Sequence, residues 1–323
     1  MNLFKYLIFI IFLTSCTTQS NNAHPPINIA IETSWAGYIH IIIAQEKGFF
    51  TQHDVKVNLV VATDGLDTTE LYKTKQADGL LNVFPDSIIL NAEGYPTQVV
   101  MMVDSSFSAD GIVAKPEIKT LQDLAGKTVS FEELNSFSHL FVMKLLEKEG
   151  LKEGQFNAMT VVASEALNAL NQGKVDAAYT YEPTLSQALN AGYKLLAKAA
   201  DMPGMITDVL AFHDTVVQQR PDEIKKIIAA ILDARDYVQQ NPEESLAIFA
   251  KFNQADVEEF RIGFNGLHYP DLEENYLALQ SEGLLFKSGL DIIDFYLSKG
   301  QIIQSLNLET VINKQFVQEL SKK

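Results

Sequence analysis

The sequence predicts an α/β protein made of two similar units in tandem, each a mostly parallel sheet flanked by helices. Three observations lead to this fold class. Short apolar, β-branched runs alternate with longer helical patterns. The same order of elements occurs twice, at an offset of about one hundred residues. The 323-residue chain is 47% hydrophobic, which suffices for the core of one large or two small domains.

The first unit begins at Ile27. INIAIET predicts a strand, SWAGY a turn, and IHIIIAQEKG a helix that ends at Gly48. VKVNLVVA then predicts a second strand, TTELYKTKQ a short helix, and ADGLLNV a third strand that leads into FPD. Strands joined by helical crossovers run parallel, so we expect a parallel sheet.

The second unit begins at Lys127 and repeats this order. KTVSFE, AMTVVA and VDAAYTY predict strands, and HLFVMKLLEKEG and SEALNALNQ predict the helices between them. Ile206 to Phe212 then predicts one further strand, and the rest of the chain predicts long helices. The repeat pairs these positions: Trp35 with Asn135, Gly48 with Gly150, Asp78 with Asp176, and Phe84 with Glu182.

The N-terminus is typical of an exported lipoprotein. MNLFK is a short basic start, and YLIFIIFL is too short to span a bilayer, which predicts a signal peptide over 1–15. LTSC, ending at Cys16, resembles the lipobox of bacterial lipoproteins, in which the cysteine is lipidated. The alternative is an ordinary signal peptide that contains a cysteine. We expect 16–26 to be a lipidated flexible tether and the protein to be periplasmic or at the cell surface, anchored to a membrane.

The composition excludes several classes of function. The chain carries 25 basic and 41 acidic residues, a net charge of −16, which disfavours nucleic acid and anionic lipid heads as partners. Cys16 is the one cysteine in the sequence, so we expect neither a disulfide bond nor a catalytic thiolate.

A ligand site is predicted beyond the carboxyl ends of the strands, where open parallel sheets bind their ligands. These ends carry aromatic and acidic side chains and neither lysine nor arginine. Such a set favours a flat ring with amino groups, or a cation, over a free anion. The NSFS stretch from Asn135 predicts a helix N-terminus directed at the same cleft. The side chains in question are Trp35, Tyr38, Phe84, Tyr179 and Tyr181, with Asp64, Asp67, Asp86, Glu132, Glu133 and Glu182.

Six stretches carry a resemblance to a known family: WAGYIHIIIAQEKGFF, ADGLLNVFPDSIILNAEG, IKTLQDLAGKTVSFE, GKVDAAYTYEP, RPDEIKKIIAAILDARDYVQQNPEES and NGLHYPDLEEN. From Ile27 onward the chain resembles the substrate-binding proteins of ABC importers. More narrowly, it is similar to the NMT1/THI5-like group, which includes nitrate-, sulfonate- and taurine-binding proteins and binders of thiamine pyrimidine precursors.

The resemblance implies a two-lobed type II periplasmic-binding-protein fold that clamps its ligand by hinge closure. Lobe 1 would comprise 27–111 and 206–323, and lobe 2 would comprise 112–205. It also implies a monomer that partners an ABC permease in the membrane. Together, the strand ends and the resemblance predict these ligand-binding residues: Trp35, Gly37, Tyr38, Asp67, Phe84, Asp86, Glu132, Ser136, Ser138, His139, Tyr181 and Glu182.

Two departures from the family pattern are visible. Ile39 and His40 follow the first cleft loop where many relatives have proline. The run of cysteines found in the pyrimidine-synthesising enzymes of the wider group is missing, which counts against catalysis. We therefore expect a binding protein without a cofactor or metal, and not an enzyme.

The ligand remains open at this stage. A small nitrogen heterocycle, such as an aminopyrimidine precursor of thiamine, is preferred. Taurine, sulfonates and nitrate are the alternative, favoured by the breadth of the family but disfavoured by the missing basic residues. A sensor would use the same clamp to report to a membrane signalling protein. An enzyme of the pyrimidine-synthase type would need a metal or reactive base, and His40 and His139 are the histidines near the predicted cleft.

Overall fold

The computed structural model describes residues 24–62 and 67–322. Within these residues the chain forms two mixed sheets of six and five strands, flanked by helices. The strands are β1 (Ile27–Ile31), β2 (Val57–Val61), β3 (Gly79–Val83), β4 (Thr97–Ser106), β5 (Asp110–Ala114), β6 (Thr128–Phe131), β7 (Asn157–Thr160), β8 (Ala177–Tyr181), β9 (Lys194–Lys198), β10 (Thr207–His213) and β11 (Leu267–His268).

The helices follow the strands as crossovers and then fill the C-terminal part of the chain. They are α1 (Ile39–Glu46), α2 (Phe49–Gln52), α3 (Thr68–Lys73), α4 (Phe84–Ala92), α5 (Phe137–Lys148), α6 (Ala166–Asn171), α7 (Thr184–Asn190), α8 (Asp214–Gln219), α9 (Pro221–Gln240), α10 (Pro242–Asn253), α11 (Val257–Asn265), α12 (Leu272–Ala278), α13 (Leu284–Ser298), α14 (Leu308–Val311) and α15 (Gln315–Leu320). Short 3-10 turns cover Ala36–Tyr38, Leu121–Leu124, Ala163–Glu165 and Ala199–Asp201.

The predicted tandem repeat is confirmed by the strand order. In the first sheet β3, β1 and β2 are parallel neighbours, and in the second sheet β8, β6 and β7 have the same arrangement. The paired aspartates also agree. Asp78 accepts a hydrogen bond from the backbone N–H of Asn28 at 2.8 Å, and Asp176 accepts one from Thr128 at 2.9 Å.

Antiparallel strands complete both sheets, and most of them were missed by the sequence prediction, which described no strand between 84 and 127. In the first sheet the order is β11-β4-β10-β3-β1-β2, and in the second it is β7-β6-β8-β5-β9. β10, which was predicted, lies antiparallel to β3, and β5 lies antiparallel to β8. The chain therefore passes between the sheets twice, after β4 and after β9.

Large apolar side chains from both sheets form the main core. Phe84, Phe131 and Phe212 are completely buried within it. No helix of the described residues combines the length and the hydropathy that a bilayer crossing requires. The predicted signal peptide, the predicted lipidation site Cys16 and the candidate ligand-site residue Asp64 lie outside those residues.

Candidate ligand-binding site

A cavity of about 230 Å³ lies between the edges of the two sheets, and both sheets contribute to its wall. It is smaller than the roughly 300–1,000 Å³ typical of sites for drug-sized ligands, which points to a small ligand. Its lining residues are Glu32, Ser34, Trp35, Tyr38, Thr68, Leu81, Asn82, Val83, Asp86, Asp110, Glu132, Phe137, Tyr181, Ile206 and Asp208.

Strand direction explains how these side chains meet. Parallel strands β1, β3, β6 and β8 all end at this edge, so the residues at or just after their carboxyl ends face the cavity. β10 and β5 run the opposite way and begin at the same edge. Asp208, the second residue of β10, and Asp110, the first residue of β5, therefore lie in the wall.

Two aromatic rings from different sheets touch across the cavity. The Trp35 and Tyr181 rings meet edge to face, with centroids 5.9 Å apart. Trp35 follows β1 and caps the 3-10 turn Ala36–Tyr38, and its indole Nε1 donates a hydrogen bond to Asp104 Oδ2 at 3.3 Å. The sole tryptophan of the chain therefore links the first sheet to the wall contributed by the second.

Asp104 and Asp208 form a buried acidic pair. They lie opposite each other on the antiparallel strands β4 and β10, and their residues are 1% and 4% exposed. Burial, followed by the charge of Asp208, raises the pKa of Asp104 well above its usual range. Burial likewise raises the pKa of Asp208 to about 7. Like charges directly opposite in a sheet are unfavourable, so the pair calls for a proton or a cation.

Asp110 is a buried carboxyl at the start of β5 in the second sheet. The Tyr179 hydroxyl donates a hydrogen bond to its Oδ1. Its Oδ2 is buried and has no hydrogen-bond partner among the described residues. Burial raises the pKa of Asp110 to about 6.

Asp86 and Glu132 add two further acids to the wall. Burial raises the pKa of Asp86 to about 7, with further upward contributions from the charges of Asp67 and Glu132. Burial also raises the pKa of Glu132 to about 7. Every shift in this cavity therefore has the direction expected of carboxyls removed from water without a positive partner.

Asn82 supplies a buried side-chain amide, and a hydrogen bond to its oxygen fixes the orientation of the amide. Its Oδ1 accepts a hydrogen bond from the Ser87 hydroxyl at 2.9 Å. Its Nδ2 is buried without an acceptor among the described residues. A buried donor of this kind gains from a hydrogen bond to a ligand, because leaving it unpaired costs about 1–3 kcal/mol.

The side chains that line the cavity can therefore stack on an aromatic ring of a ligand, accept hydrogen bonds from it and attract positive charge. Among the residues that the structure describes, neither a lysine nor an arginine lines the cavity. Among the described residues, no group of three or more His, Cys, Asp or Glu side chains is arranged to hold a metal ion. The chemistry fits a small molecule with amino groups.

Five of the residues predicted from the sequence line the cavity, namely Trp35, Tyr38, Asp86, Glu132 and Tyr181. The others do not line it. Gly37 lies behind Trp35, Phe84 is fully buried in the core, and Asp67 is an exposed N-cap that accepts from the Glu70 N–H at 2.8 Å.

The remaining predicted residues support the loops of the second sheet. Ser136 caps α5 by accepting from the His139 N–H at 3.3 Å, and Ser138 accepts from the Glu132 N–H at 3.0 Å. The His139 ring stacks on Phe131 with centroids 4.2 Å apart. Glu182 accepts hydrogen bonds from the backbone and side chain of Ser186.

Sequence reasoning missed Glu32, Asn82, Asp110 and Asp208 as lining residues. The signal for the two aspartates was present: each is a lone acid at the start of an apolar strand, in DGIVA and TDVLAFH. Only strand ends were searched, so the starts of antiparallel strands were overlooked.

Comparison with known proteins identifies the family. The model of the NMT1/THI5-like family matches residues 35–245, and the chain belongs to this family. A candidate binding protein of Brucella abortus is 25% identical over 236 residues, 72% of each chain. A 4-amino-5-hydroxymethyl-2-methylpyrimidine phosphate synthase of Saccharomyces cerevisiae is 25% identical over 224 residues, 64% of each chain.

A solved structure confirms the predicted fold. The periplasmic aliphatic sulphonate binding protein SsuA of Escherichia coli superposes with a TM-score of 0.76 at 18% identity, covering 90% of this chain and 92% of that one. The two-sheet architecture is thus the periplasmic-binding-protein fold.

Proposed function

We propose that the protein is a lipid-anchored extracytoplasmic solute receptor of an ABC importer, which clamps a small amino-bearing nitrogen heterocycle between its two lobes. The observation that carries this proposal is the cavity between the sheets. Among the residues that the structure describes, five carboxyl side chains and no basic side chain line it, and the Trp35 and Tyr181 rings meet edge to face in its wall.

The negative charge of the cavity lining distinguishes anionic ligands, such as sulfonates and nitrate, from ligands that carry amino groups. A sulfonate or nitrate would lie among carboxyls, and the repulsion is strengthened because two of these carboxyls, Asp110 and Asp208, are buried. An amino-bearing ring instead donates hydrogen bonds to the carboxyls, and it compensates their charge when a ring nitrogen is protonated. The likeness to SsuA concerns the fold alone, so it does not transfer a sulfonate to this chain.

The yeast relative supports a pyrimidine ligand. Its name describes the synthesis of an aminopyrimidine phosphate. A flat ring with an exocyclic amine suits the Trp35–Tyr181 wall and the acids beside it. The acidic lining disfavours the phosphate, so we propose the unphosphorylated pyrimidine.

The positions of the two histidines favour a binding protein over an enzyme. Neither His40 nor His139 lines the cavity. His40 is 1% exposed, and both of its ring nitrogens lack a partner among the described residues. His139 accepts a hydrogen bond from the Asn135 N–H through Nδ1 and stacks on Phe131, so its role is to fix the loop.

Calorimetric titration tests the ligand class. We expect 4-amino-5-hydroxymethyl-2-methylpyrimidine to bind saturably, and its phosphate, taurine and nitrate to bind at least about tenfold more weakly. Asp86→Asn should weaken the pyrimidine, whereas the exposed control Glu117→Gln should leave its affinity unchanged. Tight binding of taurine or nitrate with no binding of the pyrimidine would reverse the assignment.

Cell fractionation tests the proposed anchor. Cys16→Ser removes the thiol that the lipobox pattern assigns to the lipid. We expect the variant to leave the membrane fraction, while the unaltered chain stays with it. Retention of the variant in the membrane would rule out anchoring through Cys16.

A further inference from the structure

Two aspartates occupy equivalent positions in the two repeat units. Asp208 lies opposite Val83, the last residue of β3, and Asp110 lies opposite Tyr181, the last residue of β8. β3 and β8 are the third parallel strands of their units. Each sheet therefore presents a carboxyl from the same point of its edge, and both carboxyls line the one cavity.

Neither aspartate has a positive partner among the described residues of the wall. Both residues are more than nine-tenths buried, at 2% exposed for Asp110 and 4% for Asp208. Both carboxyls line the same cavity, and the charge of Asp110 contributes to raising the pKa of Asp208. Burying such groups without compensation is costly, and a bound cation removes that cost.

The buried Oδ2 of Asp110 points independently to a ligand. Tyr179 satisfies Oδ1 of the same carboxyl, which fixes its orientation and leaves Oδ2 without a donor among the described residues. The unpaired Nδ2 of Asn82, on the neighbouring strand of Asp208, requires an acceptor. The complementary molecule presents a donor nitrogen to the acids and an acceptor atom to the amide.

We propose that a positively charged nitrogen of the ligand bridges Asp110 and Asp208, so that the receptor selects protonated amines and amidines over neutral rings of the same shape. The inference rests on the proposed function and narrows its ligand class to cations. Without the cation the two carboxyls repel each other across the cleft. With it, both sheets are drawn to the same charge, so a bound cation stabilises the closed arrangement.

A pair of isosteric probes tests the bridge. Benzamidine is a flat cation at pH 7.5, and benzamide is its neutral counterpart of nearly the same shape. We expect calorimetry to show benzamidine binding at least about tenfold more tightly than benzamide. Asp110→Asn and Asp208→Asn should each reduce that ratio to less than about threefold, since either change removes one arm of the bridge. Glu117→Gln, which removes an exposed charge, should preserve it.

The outcomes separate this inference from the proposed function. Equal binding of the two probes, or a ratio unchanged in both asparagine variants, would overturn the bridge. So would a lack of benzamidine binding in protein that binds the aminopyrimidine, and the receptor assignment would then stand. Binding of taurine or nitrate alone, with neither the aminopyrimidine nor benzamidine, would overturn both the bridge and the proposed function. Thermal melts of each variant identify any misfolded protein, and agreement between two separate variants guards against a folding artefact.

Discussion

Gly37 lies where the Trp35 indole and the Asp104 carboxyl meet, and a side chain has no room there. A Cβ atom at this position would be 2.0 Å from Asp104 Oδ2 and 2.3 Å from Trp35 Nε1. The glycine thus permits the hydrogen bond that holds the sole tryptophan in the cavity wall. The sequence predicts Gly37 as a ligand-binding residue, and in the structure it lies behind Trp35 and does not line the cavity.

Gly37→Ala should therefore displace Trp35. We expect a loss of about 1–3 kcal/mol in the free energy of unfolding, from overpacking, and much weaker binding of the aminopyrimidine. Denaturant unfolding and calorimetry measure the two effects. Gly263→Ala is the matched control, because its Cβ would meet Ala36 and Glu182 at ordinary distances of 3.5 and 3.7 Å. Wild-type affinity in Gly37→Ala would contradict this role.

His40 is a buried histidine whose ring nitrogens form no hydrogen bond among the described residues. Burial, reinforced by the charge of Arg235, lowers its pKa to about 3, and its ring packs edge to face on Tyr269. A folded-state pKa below the unfolded value means that stability is lost as pH falls below about 6.5. The unpaired ring nitrogens add a desolvation cost at every pH.

His40→Leu should raise the free energy of unfolding, by about 1–3 kcal/mol, because it removes a buried polar group without partners. The gain should be larger at pH 5 than at pH 8, since only the histidine protein takes up a proton on unfolding in acid. Urea unfolding at both pH values measures it. A destabilised variant, or a gain independent of pH, would show that the imidazole has a partner.

Among the elements, the N-terminus of α5 shows which part of the sequence prediction the structure confirms and which part stays a prediction. The NSFS stretch does begin a helix, and Ser136 is its N-cap. Yet the Ser136 hydroxyl donates to the Glu133 carbonyl, and Phe137 is the residue of this turn that lines the cavity. Serine at a helix start predicts capping directly, but whether the turn also faces a ligand depends on tertiary packing.

Ser136→Ala should cost about 1 kcal/mol of unfolding free energy, the usual value for a lost N-cap, and should change ligand affinity by less than about threefold. Ser136→Asp, which can still accept from the His139 N–H, should recover the stability. Denaturant unfolding and calorimetry of both variants give the comparison. A large loss of affinity at normal stability would return Ser136 to the set of ligand contacts.

The strands also differ in how well the sequence predicts them. Local pattern predicted β1, β2, β3, β6, β7, β8 and β10, because alternating units of strand and helix are encoded within short windows. It did not predict β5, although DGIVA is apolar and fully buried. Placing β5 beside β8 pairs residues about seventy positions apart, and no local signal encodes that pairing. The position of Asp110 beside Tyr181 therefore cannot be read from the local sequence.

In the molecule as a whole, the cavity concentrates acids whose pKa values are raised. Burial raises the pKa values of Asp86, Glu132 and Asp208 to about 7 and that of Asp110 to about 6. Their unfolded values lie near 4, so the folded state holds more protons between pH 4 and 7. Each therefore lowers stability as pH rises through that window.

The ligand-free protein should lose stability between pH 6.5 and 8, and Asp208→Asn should reduce the slope. Below pH 6.5 the buried histidines act in the opposite direction, so the upper window isolates the carboxyls. Urea unfolding at half-unit steps measures the slope, with Glu117→Gln as the control for net charge. A stability that rises over this range would contradict the raised pKa values.

Titration of Trp35 fluorescence tests most directly the central claim that this acidic cavity binds an amino-bearing solute. Trp35 is the one tryptophan in the chain and lies in the cavity wall against Tyr181, so its emission reports on this place alone. Addition of 4-amino-5-hydroxymethyl-2-methylpyrimidine should give a saturable change in emission, and taurine or nitrate should give none. A saturable response to taurine or nitrate, with none to the aminopyrimidine in folded protein, would contradict the account.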